Sequence, residues 1–187
     1  MSKGGTLGDG ETRTAINEAA VRVLAGRGIG GLTHAAVDAE ADLPDGASAV
    51  HYPDRDDLVG AVVTQLVAID GMLWTQVGDL TPKSTAEFAQ RMARWVELGL
   101  TTQPVAGRAR LELFVGEPKR AAAGHQAILE VAVVVLDVLG VKEPAAKARL
   151  VVDLVSGTMT HHLTVRADES FDAESFERGL ARLLVER

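Results

Sequence analysis

The chain contains no cysteine among its 187 residues, and aromatic side chains make up only 4% of it. Without cysteine there are no disulfide bonds and no thiolate metal sites, a composition that fits a reducing cytoplasm. Long apolar runs are also missing, since a stretch such as residues 131–136 is far shorter than the roughly 20 residues of a membrane-spanning helix. The glycine-rich N-terminus lacks the apolar core of a secretory signal. The sequence therefore predicts a soluble cytoplasmic protein with a disordered leader at 1–10 and no membrane partner.

Motifs that mark common metal and catalytic sites are absent as well. The sequence has no H-E-x-x-H, E-x-x-H, G-x-S-x-G or G-x-x-x-x-G-K-[ST] pattern. His161 and His162 are adjacent, so on a helix they point about 100° apart and cannot grip one metal ion. Gly26, Gly28 and Gly31 have the spacing of a dinucleotide-binding loop, but the residues before them repeat with helical rather than strand period. We therefore expect no catalytic residue, no metal and no cofactor.

What the sequence does contain is a helical pattern, most clearly in its first third. Apolar residues at spacings of three and four predict a first helix that begins at Thr12 and ends in the glycines after residue 25. Thr33 stands between Leu32 and Val37 as an N-cap inside a hydrophobic staple, which predicts a second helix at 33–41. Pro44 suits a first helical position and predicts a third helix at 44–51.

Longer helices follow. Asp54 is the expected N-cap of the fourth helix, whose first turn carries Asp56 and Asp57. Residues 131–135 are β-branched enough to suggest a strand, but no other segment alternates with period two to pair with them, so we keep them helical. The remaining helices, separated by proline and glycine breaks, are predicted at 84–101, 105–115, 118–139, 144–166 and 172–186. The sequence therefore predicts an all-α protein of about nine helices.

The stretch from residue 12 to residue 58 resembles the DNA-binding head of the tetracycline-repressor (TetR) family of transcriptional regulators. The resemblance lies in the RGIGGLT bridge into the second helix, apolar Val37 and Leu43, the LPDGASAVHY recognition helix and the PDRDDL segment before the fourth helix. It implies an all-helical homodimer with a helix-turn-helix DNA-binding domain at 11–57 and a ligand-binding and dimerisation domain at 58–187. The implied partners are a double-stranded DNA operator, a second copy of the chain and a small-molecule effector.

The resemblance also implies roles for residues of the head. Thr33 would contact a phosphate at the start of the second helix. Ser48 and His51 would reach base edges or phosphates, and Tyr52 and Arg55 would touch the DNA backbone. The full set implied at the DNA is Thr33, His34, Gly46, Ala47, Ser48, His51, Tyr52 and Arg55. Two alternatives stay open: Tyr52 as an aromatic plug that holds the third helix on the first, and the two histidines as plain exposed side chains.

The charge of this segment is unusual for a DNA-binding protein. Residues 1–58 hold five basic and ten acidic side chains, a net charge of −5, against −7 for the whole chain. Because DNA affinity depends heavily on cationic contacts and counterion release, this balance predicts weak nonspecific binding and a shallow salt dependence.

The rest of the chain holds both tryptophans and most of the other large side chains. These residues predict either a plain hydrophobic core or an effector pocket between the fourth helix and the helices from residue 84 onward. The pocket hypothesis names as ligand-binding residues Met72, Trp74, Phe88, Trp95, Phe114, His125 and His161. A mostly apolar cavity with one histidine as its polar group favours an apolar or aromatic ligand.

The predicted helices at 118–139 and 144–166 are unusually apolar. Two such helices from each chain would form an intersubunit four-helix bundle, and the alternative is a core buried inside one chain. The dimer interface is predicted at Ile128, Val131, Val135, Leu150, Leu154, Gly157 and His161. A two-fold dimer would hold its recognition helices about one DNA turn, roughly 34 Å, apart.

Together these patterns favour a ligand-responsive transcriptional regulator, and specifically a repressor that an effector releases from a palindromic operator. Two other hypotheses stay open. One is a TetR-like protein with weakened DNA binding that acts as a small-molecule sensor or protein-interaction module. The other is a small helical enzyme that uses the cavity of the C-terminal part.

Overall fold

The computed structural model describes residues 8–78 and 81–185, and within these ranges the chain forms nine helices and no strand. The helices are α1 (Asp9–Gly31), α2 (His34–Glu40), α3 (Ala47–His51), α4 (Arg55–Val77), α5 (Thr85–Thr102), α6 (Pro104–Gly116), α7 (Pro118–Val138), α8 (Pro144–Leu163) and α9 (Ala173–Leu184). The all-α prediction is confirmed, and residues 131–135 lie inside α7. We refer to α1–α3 as the head and to α4–α9 as the body.

Helix α1 begins earlier than the sequence pattern predicted. Thr12, the predicted N-cap, lies inside the helix, and its hydroxyl donates to the carbonyl of Gly8 at 3.1 Å. The start is set instead by Glu11, whose carboxylate accepts from the Gly8 N–H at 2.9 Å. The helix breaks at Gly28, where a φ of 67° favours glycine. Residues 9 and 10 of the predicted leader therefore belong to α1, and residues 1–7 lie outside the described part of the chain.

The two short helices of the head differ in how well their starts were predicted. The Thr33 hydroxyl accepts from the Ala36 N–H at 3.2 Å, so the predicted cap of α2 is confirmed. Helix α3 starts at Ala47 and not at Pro44. Gly46 adopts a φ of 86°, and residues 44–46 therefore form a turn in place of the first helical turn.

The helices of the body start and end close to their predicted limits. Asp54 caps α4 as predicted, because its carboxylate accepts from the Asp57 N–H at 2.8 Å. Helix α8 ends at Leu163, three residues before the predicted limit, since Thr164 leaves helical geometry with a ψ of −96°. Residue 186, where the last helix was predicted to end, lies outside the described residues.

Two hydrophobic clusters fill the described parts of the chain. The first joins α1, α2 and the first half of α4 to α6, and Ile16, Leu24 and Val37 lie fully buried in it. The second joins α5, α7, α8 and α9 around buried Leu136 and Leu180. Since α6 packs along α1, the head is continuous with the body. The division of the chain into two domains stays a prediction.

Candidate DNA interface and effector site

Asp38 holds the helix-turn-helix together, a role that the sequence did not reveal. Its side chain is on α2 and the residue is 1% exposed. Oδ2 accepts from the Gly46 N–H at 2.7 Å and Oδ1 accepts from the Ser48 N–H at 2.8 Å. Both amides lie at the start of α3, where backbone donors lack helical partners, so the carboxylate caps α3 from the neighbouring helix. The sequence signal is slight: an acid beside the buried Val37.

The side chains expected to read bases face into the head. Ser48 is fully buried at 0% exposure, and its hydroxyl donates to the His34 carbonyl at 3.4 Å. The His51 side chain is 12% exposed, with Nδ1 3.4 Å from the Asp9 carboxylate. In this arrangement both side chains are turned toward the head, and their contact with bases or phosphates stays a prediction. The reason is that residues three apart on α3 share the face that packs against α1 and α2.

Tyr52 and His34 fasten the end of α3 to its neighbours. The Tyr52 hydroxyl donates to Oδ1 of Asn17 on α1 at 2.6 Å, and the Arg13 guanidinium lies 5.9 Å from the ring centre. His34 Nε2 lies 2.6 Å from the Tyr52 carbonyl oxygen, which makes that nitrogen the protonated one. The aromatic-plug alternative for Tyr52 is therefore what the structure contains, and His34 is half-buried rather than plainly exposed.

The outward surface of the head contains fewer of the implied DNA residues than the sequence suggested. Thr33, Gly46 and Arg55 are exposed, and Ala47 is half-buried. The most exposed side chain of α3 is Val50, at 80%, which the sequence analysis did not single out. It stands opposite Ser48 on the helix, so the burial of Ser48 predicts its exposure. Contact between any of these residues and DNA stays a prediction.

Carboxylates engage three of the four arginines described between residues 8 and 58. The pairs are Arg13 with Asp9 at 3.6 Å, Arg22 with Glu40 at 2.7 Å and Arg55 with Glu117 at 3.1 Å. Helix α3 itself contains no lysine or arginine. The outward face of α3 therefore has no lysine or arginine of its own that could contact a phosphate, in agreement with the net negative charge of residues 1–58.

Arg55 ties the head to the body. Its Nη2 donates to the Ile29 carbonyl at 3.0 Å, and its Nη1 donates to Glu117 Oε1 at 3.1 Å. Nearby, a Cβ added to Gly116 would lie 2.5 Å from Ile29 Cγ2, so only glycine lets α6 approach the end of α1 this closely. The end of α1, the start of α4 and the corner between α6 and α7 thus meet at what we term the head–body junction, formed by Ile29, Arg55, Gly116 and Glu117.

In the body, the two tryptophans meet between α4 and α5. The rings of Trp74 and Trp95 stack, with centroids 5.8 Å apart and planes inclined by 25°. The indole N–H of Trp95 is buried and has no hydrogen-bond partner among the described residues. A buried donor without an acceptor is destabilising, so an acceptor brought to it would be stabilised. Beside Trp95 lies a cavity of about 10 Å³, lined also by Leu73, Gly99 and Met159, which is about the room of one water molecule.

An ion pair closes one side of the same cavity. Arg110 of α6 donates through Nη2 to both carboxylate oxygens of Asp70 on α4, at 2.8 and 3.0 Å. Burial raises the pKa of Asp70, and the Arg110 charge and hydrogen bond only partly offset this. The sequence pattern did not single out either residue, because the two are far apart in the chain. Asp70 has a local signal, as the one charge in the apolar stretch 58–77, whereas Arg110 has none, since α6 also carries Arg108 and Glu112.

The predicted ligand-binding residues are only partly brought together. Trp74 and Trp95 meet, and Phe88 is buried in the second cluster. Met72, Phe114 and His161 lie exposed on the surface, and His125 lies away from the cavity lining, so a role for these four residues in ligand binding stays a prediction. Met72 points to solvent because successive residues of a helix are about 100° apart and its neighbour Leu73 faces inward. The polar side chains that line the cavity are those of Asp70, Gln103, Arg110 and Trp95, with no histidine among them.

An exposed apolar stripe runs along α7 and α8. Its members are Ile128, Val131, Val134 and Val138 of α7 and Leu150 and Leu154 of α8. Of the other predicted interface residues, Val135 and Gly157 are half-buried and His161 is exposed at the end of α8. The alternative of a core inside one chain does not describe the stripe, because its side chains face outward. By length and composition alone, α4 and α7 would each also suffice to cross a membrane.

Comparison with solved structures identifies the architecture. A TetR-family member from Streptomyces coelicolor A3 matches with a TM-score of 0.77 and 25% identity, over 94% of this chain and 99% of that chain. The multidrug binding protein EbrR, in complex with malachite green, matches with a TM-score of 0.75 and 25% identity, over 93% and 98%. A TetR-like transcriptional regulator from Rhodococcus sp. RHA1 matches at 0.73 with 15% identity, over 95% and 96%, which shows the fold alone. No family profile and no curated protein matches the sequence. The resemblance seen in the sequence is confirmed.

Proposed function

We propose that this chain, a TetR-family protein by its fold, is a transcriptional regulator that binds a palindromic operator as a cytoplasmic homodimer and leaves it when a small aromatic effector binds. The observation that carries the proposal is the combination, in one chain, of a helix-turn-helix with an outward-facing third helix and a tryptophan-lined site in the body. Helices α4 and α6 join the two. We propose no catalytic activity.

The exposed stripe on α7 and α8 supports the homodimer. Six large aliphatic side chains are exposed on two helices that pack against each other, and clustered apolar exposure marks interaction surfaces. A second copy related by a two-fold axis would place the same four helices against each other and remove the stripe from water. The two copies of α3 would then face the same side, as reading of successive major grooves requires.

The tryptophan pair supports an aromatic effector. EbrR has been solved with malachite green, proflavin and ethidium. A flat ring placed against Trp74 or Trp95 would gain stacking energy, and an acceptor atom on the ligand would satisfy the free Trp95 N–H. Ligands of this size occupy pockets of about 300 Å³ or more, so binding must part the helices around the present cavity.

The head–body junction supplies a route from that site to the head. Asp70 and Arg110 hold α4 and α6 together beside the cavity, and the same two helices carry Arg55 and Gly116 at the junction. A ligand that parts α4 from α6 therefore shifts the end of α1 and, with it, the orientation of α3. Binding coupled in this way is reciprocal, so operator DNA must weaken effector binding by the same factor.

The test combines DNA binding with dye binding. Mobility shift across a salt series, with full-length protein and the DNA upstream of its own gene, should show one specific complex. Both tryptophans of the chain lie at the proposed site, so binding of malachite green there should quench the tryptophan fluorescence strongly. The dye should then release the protein from the DNA.

A matched variant separates this release from direct binding of the dye to DNA. In Trp95→Leu the stacking partner and the free N–H are lost, while the head is unchanged. The variant should bind the DNA as the wild type does but resist release by the dye. Equal release of both proteins would contradict the proposal, because it would show that the dye acts on the DNA.

The engaged arginines and the cation-free α3 also favour a second candidate. This is a TetR-like small-molecule sensor or protein-interaction module with weakened DNA binding. It predicts dye binding and dimerisation without a specific DNA complex, even at low salt. The same two measurements therefore distinguish the candidates.

A further inference from the structure

The outward face of α3, formed by Gly46, Ala47 and Val50, is apolar. Val50 is 80% exposed at its centre, and Ala47 and the start of the helix at Gly46 lie beside it. These positions are opposite the buried face that contains Ser48 and His51. Val50 is the fourth of the five residues of α3, and it is the one large apolar side chain that is exposed in the described part of the head.

The same face lacks hydrogen-bonding side chains. The two polar side chains within α3 are those of Ser48, which is held at the His34 carbonyl, and His51, which lies against the Asp9 carboxylate. Neither can donate to or accept from a base edge without leaving the core of the head. Direct readout by hydrogen bonds, such as that of guanine by arginine or adenine by asparagine, is therefore closed to this helix.

We infer that Val50, with Ala47 beside it, determines operator specificity by contact with the C5-methyl group of thymine in the major groove. The inference rests on the proposed function, because it requires α3 to enter the groove. The thymine methyl is the one apolar group that a base pair presents there, and alanine and other small apolar side chains are its usual partners. Each half-site then contains a thymine beneath Val50.

The magnitude follows from the size of the group. Burial of one methyl group contributes about 0.8 kcal/mol, which is roughly a fourfold change in affinity. A two-fold dimer makes the contact twice. Loss of both methyl groups should therefore weaken binding about fifteenfold.

The experiment removes the methyl group and leaves the rest of the base pair unchanged. Duplexes are first selected from a random-sequence library with the full-length protein at low salt. Each thymidine of the selected duplex is then replaced by deoxyuridine, which pairs identically but lacks the C5-methyl. We expect one symmetric pair of positions to lose about fifteenfold in affinity, and 5-methylcytosine at those positions to bind better than cytosine.

A pair of valine variants assigns the effect to the side chain. Val50→Ser, which replaces the apolar contact by a hydroxyl, should bind the thymine and uracil duplexes nearly equally, whereas Val165→Ser, at an equally exposed valine outside the head, should keep the wild-type ratio. Uracil tolerance at every position would overturn the inference while leaving the proposed function intact, as would an unchanged ratio in Val50→Ser. If no duplex binds at all, the proposed function fails and this inference fails with it.

Discussion

Replacement of Asp38 by asparagine tests the account of how the recognition helix is held. The carboxylate accepts two backbone N–H groups at 2.7 and 2.8 Å inside the protein, and asparagine keeps the size but offers one acceptor in place of two. One bond loses its charge, at a cost of about 1 kcal/mol, and the other amide faces an NH₂ group, at a cost of about 2 kcal/mol. Asp38→Asn should therefore lower the free energy of unfolding by about 3 kcal/mol.

Thermal unfolding, monitored by circular dichroism, measures this loss of stability. In a chain of this length, about 3 kcal/mol corresponds to a fall in Tm of roughly 6–12 °C. The oligomeric state should not change, because α2 is remote from the stripe on α7 and α8. At temperatures where the variant is still fully folded, its affinity for any DNA that the wild type binds should nevertheless be lower, since the start of α3 loses its cap.

Asp45→Asn is the matched control. It makes the same change of charge in the turn before α3, but Asp45 is exposed, so the free energy of unfolding should stay within about 0.5 kcal/mol of the wild-type value, which is roughly 1–2 °C in Tm. The reasoning about Asp38 is refuted if the two variants lower the Tm equally, or if Asp38→Asn leaves it unchanged. Either result would mean that the backbone of α3 keeps its geometry without the carboxylate.

Three further predictions concern the body. Val131→Glu places a charge in the exposed stripe, and light scattering should show that the dimer becomes a folded monomer. The control Val165→Glu should stay dimeric. A monomeric wild type would refute the stripe as an interface. Gly116→Ala drives a Cβ against Ile29, so it should lower the free energy of unfolding by roughly 1–3 kcal/mol. It should also reduce DNA affinity while dye binding persists. Unchanged DNA affinity would exclude the head–body junction as the coupling route. Burial raises the pKa of Asp70 above 3.8, so its contribution to stability is greatest below that pH and is lost as the pH rises through the folded-state pKa. The stability of the wild type relative to Asp70→Asn in urea unfolding should fall with rising pH, and a rising difference would contradict the sign.

The features that could be predicted from sequence are those set by neighbouring residues. Thr33 and Asp54 were recognised as N-caps because a capping side chain bonds an amide three residues away. The glycine cluster predicted the break in α1, although not that Gly28 itself makes it. Thr12 failed as a cap because a better start, closed by Glu11, lies one turn earlier.

The features that could not be predicted depend on residues far apart in the chain. Asp38 accepts the backbone N–H of Ser48 and so holds α3 in the orientation that turns the Ser48 side chain toward the core. A pattern of apolar residues would instead assign Asp38 itself to the surface. Likewise, the ion pair at the cavity joins Asp70 to Arg110 across two helices, and neither residue has a partner within its own helix turn. Periodicity identifies the helices, but the pairing of polar groups between them requires their packing.

The small size of the cavity beside Trp95 has a kinetic consequence. A molecule many times larger than about 10 Å³ can enter only while thermal motion holds the surrounding helices apart. At high ligand concentration the observed association rate should then level off at the rate of that motion, and escape should also have to wait for the helices to part. A regulator built in this way would keep its effector long after the surroundings had been cleared of it, so its response would outlast the stimulus.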